Sequence, residues 1–157
     1  MGHFDLHCDT LSRCAAEKAS LLSNNFDISV ERGPLSDYWV QAFAVFINDD
    51  LRGARAYHAF QAQAEVLKKA LESGGPIVSY DPDHLEKGVC NAMLTVENGA
   101  ALGGEDVVAV GSDFDGAAMP SRLEHIERIP EWHENLRKHF GPELAEKIAK
   151  VRQAIEA

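Results

Sequence analysis

Residues 38–47 read YWVQAFAVFI and are apolar on both of the faces that a β-strand would present. Such a strand suits a sheet that is covered on both sides, as in parallel α/β folds. Residues 91–96 and 107–111 are segments of the same buried type, whereas residues 4–8 and 77–80 predict shorter strands. The sequence therefore predicts an α/β protein whose strands run parallel.

The helices are predicted by periodicity and by helix-end signals. Apolar side chains recur at three- and four-residue spacing over residues 53–73, and two glycines follow this segment. Pro130 and Pro142 occupy positions that suit the first turn of the last two helices, the final one covering about residues 142–155. The 157 residues suffice for one domain with a real core. They are too few for a closed (β/α)₈ barrel, which needs roughly 250 residues.

Composition limits the partners and the cellular compartment that we expect for the protein. The net charge of −10 argues against nucleic acid and anionic membranes as partners. The cysteines Cys8, Cys14 and Cys90 show no CxxC spacing and are predicted to be reduced packing residues, which fits a cytoplasmic protein. Neither a secretory signal nor an apolar run of membrane-spanning length is recognisable.

His7 and Asp9 are the first candidate site residues. Side chains two residues apart on a strand point the same way, so this pair would present one nitrogen and one oxygen ligand together, with Phe4, Leu6 and Cys8 packing behind. Such a pair is typical of the divalent-metal sites of α/β hydrolytic enzymes. The alternative is a buried strand that carries two polar residues beside a turn.

Glu97 and Asp113 follow the buried segments 91–96 and 107–111. Ligands and catalytic groups gather at the carboxyl ends of parallel strands, so both carboxylates are expected to meet His7 and Asp9. This set could hold one or two divalent ions, with Glu97 able to bridge a pair. Asp115 is interpreted as a loop-forming residue. The alternative for all these acids is a role as helix caps or turn residues.

The remaining histidines do not extend this pattern. They lie before the first strand or in polar and helical contexts, and each is interpreted as a solvated surface residue: His3, His58, His84, His125, His133 and His139.

Three segments resemble signature segments of the membrane (renal) dipeptidase family: DLHCDTL at 5–11, LTVENG at 94–99 and VGSDFDG at 110–116. Members of that family are zinc-dependent dipeptidases on a (β/α)₈ barrel. The resemblance implies that His7 and Asp9 bind one zinc ion and that Glu97 bridges two. Asp113 would lie on the last barrel strand and face the free amino group of a dipeptide substrate. The implied reaction is hydrolysis by metal-activated water, with Glu97 and Asp113 in catalytic roles.

The resemblance also implies that the middle of the barrel is missing. Residues 1–102 would supply strands 1–3 and residues 103–157 strand 8, so that one truncated domain forms a partial (β/α)₈ barrel. In a closed barrel the last strand neighbours the first, and we expect this arrangement to persist. The alternative is an antiparallel pairing of segments 91–96 and 107–111, which the link over residues 98–105 joins; it would separate Asp113 from Glu97. Open sheet edges would favour self-association.

Two functions follow from this partial barrel. In the first, the chain is a zinc dipeptidase whose second metal site is weakened, because the family's further histidine ligands would lie in the missing section. In the second, the chain is a non-catalytic remnant that binds a metal, or a partner through its open sheet.

Overall fold

The fold is built on parallel strands whose carboxyl ends bring His7, Asp9 and Asp113 together. The computed structural model describes residues 2–33, 37–81, 83, 88, 90–95 and 110–149. Its strands are β1 (His3–Asp5), β2 (Trp39–Ala44), β3 (Ile77–Ser79) and β4 (Cys90–Thr95). They form one sheet in the order β1-β2-β4-β3, and every neighbouring pair is parallel. The predicted α/β class with a parallel sheet is thus confirmed, and the described residues form no closed barrel.

Residues 110–114 run alongside β1 on the edge that β2 leaves open. Asp5 forms a parallel bridge with Val110 while it also pairs with Gln41 of β2, so the two neighbours lie on opposite sides of β1. A second parallel bridge joins Cys8 to Phe114. The predicted parallel neighbour of the first strand is therefore present. The alternative antiparallel pairing with segment 91–96 is wrong for residues 110–114, because β4 pairs with β2 and β3 instead. The link over residues 98–105 lies outside the described residues.

β2 is the central strand, as its apolar sequence predicts. All six of its residues are buried, and it pairs with both β1 and β4. Trp39 and Phe43 pack in the main apolar cluster with Leu67 and Ala70 of the long helix. The sheet is thus covered on this face by a helix whose buried positions recur with helical periodicity.

Three helices accompany the sheet: α1 (Thr10–Glu17), α2 (Ala54–Glu72) and α3 (Ile129–Ala149). α2 confirms the helix predicted for residues 53–73. α3 is interrupted at Gly141, whose φ of 78° and ψ of 163° are not helical, so Pro142 starts a second helical segment as predicted. Short 3₁₀ turns, Val30–Arg32 and Ile126–Arg128, complete the described elements.

The packing of the first strand differs from the prediction at Cys8. Phe4 and Leu6 pack with Val40 in a small cluster, whereas Cys8 belongs to the main cluster with Phe114. β1 ends at Asp5, so the strict alternation of faces does not extend to Cys8. The expectation that Phe4, Leu6 and Cys8 share one side is therefore wrong for Cys8.

His3 and His133 were predicted to be surface residues, and that prediction is wrong. Both side chains are buried, and His3 Nδ1 lies 3.3 Å from His133 Nε2, so that β1 is joined to α3. Burial and, to a smaller extent, the proximity of His133 lower the pKa of His3 to about 3, and burial lowers the pKa of His133 to about 4. The pair is therefore neutral in the folded protein near pH 7.

Among the described residues, none of the helices combines the length and apolar character needed to cross a bilayer.

Candidate metal centre

The candidate site lies where β1 gives way to α1. His7 follows the strand, and Asp9 occupies the position before the first helical residue, Thr10. Asp113 comes from the neighbouring segment, which is held by backbone hydrogen bonds from Leu6 N–H to Val110 O (2.8 Å), from Asp113 N–H to His7 O (3.1 Å) and from Asp9 N–H to Phe114 O (2.9 Å). Residues far apart in sequence therefore meet through parallel pairing, as the sequence predicts.

The three side chains are close enough to share one ion. His7 Nε2 lies 3.2 Å from Asp113 Oδ1 and 3.8 Å from Asp9 Oδ2. One ligand atom from each residue lies within 4.8 Å of the other two. Two ligands of a tetrahedral zinc ion are about 3.4 Å apart, given bond lengths near 2.0–2.2 Å. The observed separations fit such a site.

Access to this site is open on one side. The side chain of Asp113 is 45% exposed, that of His7 is 25% exposed and that of Asp9 is 15% exposed. An ion held here would retain coordination positions towards solvent, which is characteristic of catalytic rather than structural zinc sites.

Of the four residues predicted from the sequence, the structure brings together His7, Asp9 and Asp113. Glu97 lies outside the described residues, so its predicted bridging and catalytic roles stay predictions. Within the described part of the chain, no other group of three His, Cys, Asp or Glu side chains meets the geometry of a metal site. The position of Asp113 beside His7 makes it a candidate metal ligand, which agrees with the predicted set of four residues, whereas the family resemblance implied a substrate-binding role for it.

Gly116 allows the two carboxylates to approach each other. A Cβ atom built on Gly116 would collide with both Asp9 Oδ2 and Asp113 Oδ1. The turn is closed by the N–H groups of Gly116 and Ala117, which donate to the Asp113 carbonyl at 3.0 Å each. The missing side chain at Gly116 leaves the space in which both acids face His7.

Asp5 contacts the segments on both sides of the site, and the sequence analysis did not predict a role for it. Its carboxylate accepts hydrogen bonds from His7 N–H (3.1 Å), from Ser112 N–H (2.9 Å) and from Ser112 Oγ (2.5 Å). Burial raises the pKa of Asp5 above its usual value, although the bonds from Ser112 oppose this rise. An acid inside a buried strand was the available signal, since a buried charge needs partners.

Asp115 organises the loop, as predicted. Its side chain is 0% exposed and accepts hydrogen bonds from Thr10, Arg13 and the backbone of residues 27 and 28.

The cysteines take no part in this site. Cys8, Cys14 and Cys90 are free and buried. Burial raises the pKa of each thiol, that of Cys14 to about 12, so all three remain protonated near neutral pH. A protonated buried thiol is neither a nucleophile nor a metal ligand, and the predicted packing role fits these positions.

Comparison with known proteins adds no assignment. No protein-family model matches the chain, and no curated protein matches it.

Proposed function

We propose that this protein is a zinc-binding hydrolase of the membrane (renal) dipeptidase type. The observation that supports the proposal is the meeting of His7, Asp9 and Asp113 at the carboxyl ends of neighbouring parallel segments. The order of residues 110–114, β1, β2 and β4 corresponds to strands 8, 1, 2 and 3 of a (β/α)₈ barrel. A partial barrel is the architecture we propose on this basis.

The donor set suits a divalent zinc ion. A neutral imidazole and carboxylates are ordinary zinc ligands, and the space left by Gly116 allows their approach. Zinc in such a site polarises a carbonyl group and lowers the pKa of a bound water molecule. His7 and Asp9 would hold the ion. Asp113, with its exposed carboxylate, would attract the ammonium group of a dipeptide.

The test combines zinc titration with peptide hydrolysis. Calorimetry on the metal-free protein should show uptake of one Zn²⁺, and the loaded protein should cleave Ala-Ala. His7→Ala should abolish both, whereas His58→Ala, which changes an exposed histidine on α2, should abolish neither. Absence of zinc uptake by the folded, unaltered protein would contradict the proposal.

A second candidate is metal binding without catalysis. It is favoured by the 3.2 Å separation of His7 Nε2 and Asp113 Oδ1, because an Asp113 that ligates the ion is not available to bind a substrate ammonium. Under this alternative, zinc uptake persists while Ala-Ala stays intact, and Asp113→Asn weakens zinc binding as much as Asp9→Asn does. In the dipeptidase, Asp113→Asn should mainly raise the KM.

Two further proposals accompany this function. β3 lies at the end of the described sheet order with Val78 exposed, which supports the predicted self-association through an open edge. Light scattering across a range of protein concentrations would show a rising mass. The free, buried cysteines support a reducing, cytoplasmic location.

A further inference from the structure

A buried carboxylate, Asp115, lies directly beside the candidate metal centre. Its oxygens accept hydrogen bonds from Thr10 Oγ1 at 2.5 Å and from Arg13 Nη1 at 2.9 Å. They also accept from the backbone N–H groups of Asp27 at 3.0 Å and Ile28 at 3.4 Å. The N–H of Asp115 in turn donates to Asp27 Oδ2 at 3.1 Å. Donors from α1 and from the loop at residues 27–28 therefore converge on one side chain.

The placement of these partners connects Asp115 to the ligand candidates. Thr10 directly follows Asp9, and Asp115 lies two residues after Asp113. The hydrogen bond between Thr10 and Asp115 thus joins the two segments that carry Asp9 and Asp113 of the candidate metal centre. Arg13, one helical turn further along α1, adds a charge-assisted contact to the same acid.

The turn that carries Asp113 needs such support. Asp113 and Asp115 have positive φ angles of 55° and 67°, a region that residues other than glycine occupy at a cost. Backbone conformations of this kind persist only where the surroundings enforce them. Residues 110–114 are attached to residues 5–9 by two isolated bridges and three backbone hydrogen bonds, and side-chain contacts add to this constraint.

We infer that Asp115 is a positioning residue of the metal centre, which holds the turn at 113–116 through Thr10 and Arg13 so that Asp113 faces His7. This inference rests on the proposed zinc site in the form in which Asp113 is the third ligand, as in the second candidate above, and it assigns the residues that determine that geometry. It differs from a purely structural role, in which Asp115 would stabilise the loop near residue 27 without influencing the ion.

A double-mutant cycle separates these roles. Thr10→Val removes the hydroxyl group while it keeps the shape of a buried side chain. We expect it to lower the affinity for Zn²⁺ about tenfold in the otherwise unaltered protein, in the range found for groups that orient metal ligands. In the Asp113→Asn background the same change should lower the affinity less than twofold, because the carboxylate being positioned is no longer there.

A spectroscopic readout and a conservative variant accompany the cycle. Co²⁺ in place of Zn²⁺ should give a visible absorption spectrum that Thr10→Val alters and that Thr10→Ser, which retains the hydroxyl group, restores. If Thr10→Val does not fold by circular dichroism, Arg13→Met takes its place, since this side chain is 42% exposed. Glu17→Gln is the matched control, because it removes the other ion pair of Arg13, at 3.2 Å, and leaves Asp115 untouched.

The outcomes are distinguishable. Equal losses of affinity in both backgrounds, or no loss in either, would overturn the positioning role while the zinc site stands. Failure of the unaltered protein to take up Zn²⁺ would overturn the proposed function and this inference together.

Discussion

Gly116→Ala is the sharpest perturbation of the candidate metal centre, because it adds one methyl group between the two carboxylates. The new Cβ would overlap Asp9 Oδ2 and Asp113 Oδ1. Ordinary contact would require each oxygen to move by about 1 Å. Metal–ligand distances tolerate only about 0.2 Å, so at least one carboxylate would leave the ion. We expect the affinity for Zn²⁺ to fall at least 10–100-fold, the loss typical of disturbed ligand positions.

The same substitution should hardly affect the fold. The colliding atoms are the ends of aspartate side chains, which can rotate away at about 0.5–1.5 kcal/mol. Gly116 is exposed and has no positive φ, so its backbone can accept alanine. The lower entropy of the unfolded alanine variant then stabilises the fold by about 0.4–1 kcal/mol, which offsets most of the cost of rotating the aspartate side chains. The net change in the free energy of unfolding should therefore stay within about 1 kcal/mol.

Gly111→Ala provides the matched control in the same segment. A Cβ there would lie 3.5 Å from His7 Cβ, an ordinary van der Waals contact. Calorimetric titration of both variants with Zn²⁺, beside urea unfolding, measures the two effects separately. An unchanged affinity in a folded Gly116→Ala variant would refute the shared-ion geometry, as would equal losses in the two variants.

Three further predictions concern stability. Because burial lowers the folded pKa of His3 to about 3 and of His133 to about 4, only the unfolded chain takes up their protons near pH 6.5. The free energy of unfolding should therefore fall by about 2 kcal/mol per histidine between pH 7 and pH 5. Urea unfolding of His133→Gln should show a shallower dependence on pH. Asp5→Asn leaves a donor from Ser112 or the backbone without its acceptor and should cost about 1–3 kcal/mol in the same assay, whereas a neutral result would contradict the buried hydrogen bonds. Leu67→Ala, in the main cluster, should cost about 2–5 kcal/mol, and a loss below 1 kcal/mol would argue against the packing of α2 on the sheet.

Local patterns in the sequence were sufficient to predict most elements of the described fold. The apolar run around β2 predicts a central strand, because a strand without a polar face has to be covered on both sides. The periodicity of α2 and the positions of Pro130 and Pro142 predict helices, because each of these signals depends only on residues within one or two helical turns.

Features that depend on long-range packing could not be predicted in the same way. The burial of His3 and His133 results from α3 lying against β1, and no local pattern reports that contact. The same holds for Asp5, whose partner Ser112 lies 107 positions away. The convergence of His7, Asp9 and Asp113 was predictable only through the rule that carboxyl ends of parallel strands share an edge. Its detail, with Asp113 at 3.2 Å from His7, depends on a turn at Gly116 that the rule does not describe.

The site and the fold therefore depend on the same contacts. His7 and Asp9 alone give two donors, and the turn at Asp113 adds the third only when it is docked against β1. Two side-chain hydrogen bonds stabilise that docking: Ser112 donates to Asp5 at one end, and Thr10 donates to Asp115 at the other. The partners lie 107 and 105 positions apart in the sequence. An ion bound between the two segments would favour their docking, because a ligand that binds only the assembled arrangement stabilises it. Metal binding at this site would thus be coupled to the attachment of residues 110–116 to the sheet. A change at Asp5 or Asp115 would lower the affinity for the ion, and removal of the ion would weaken the attachment.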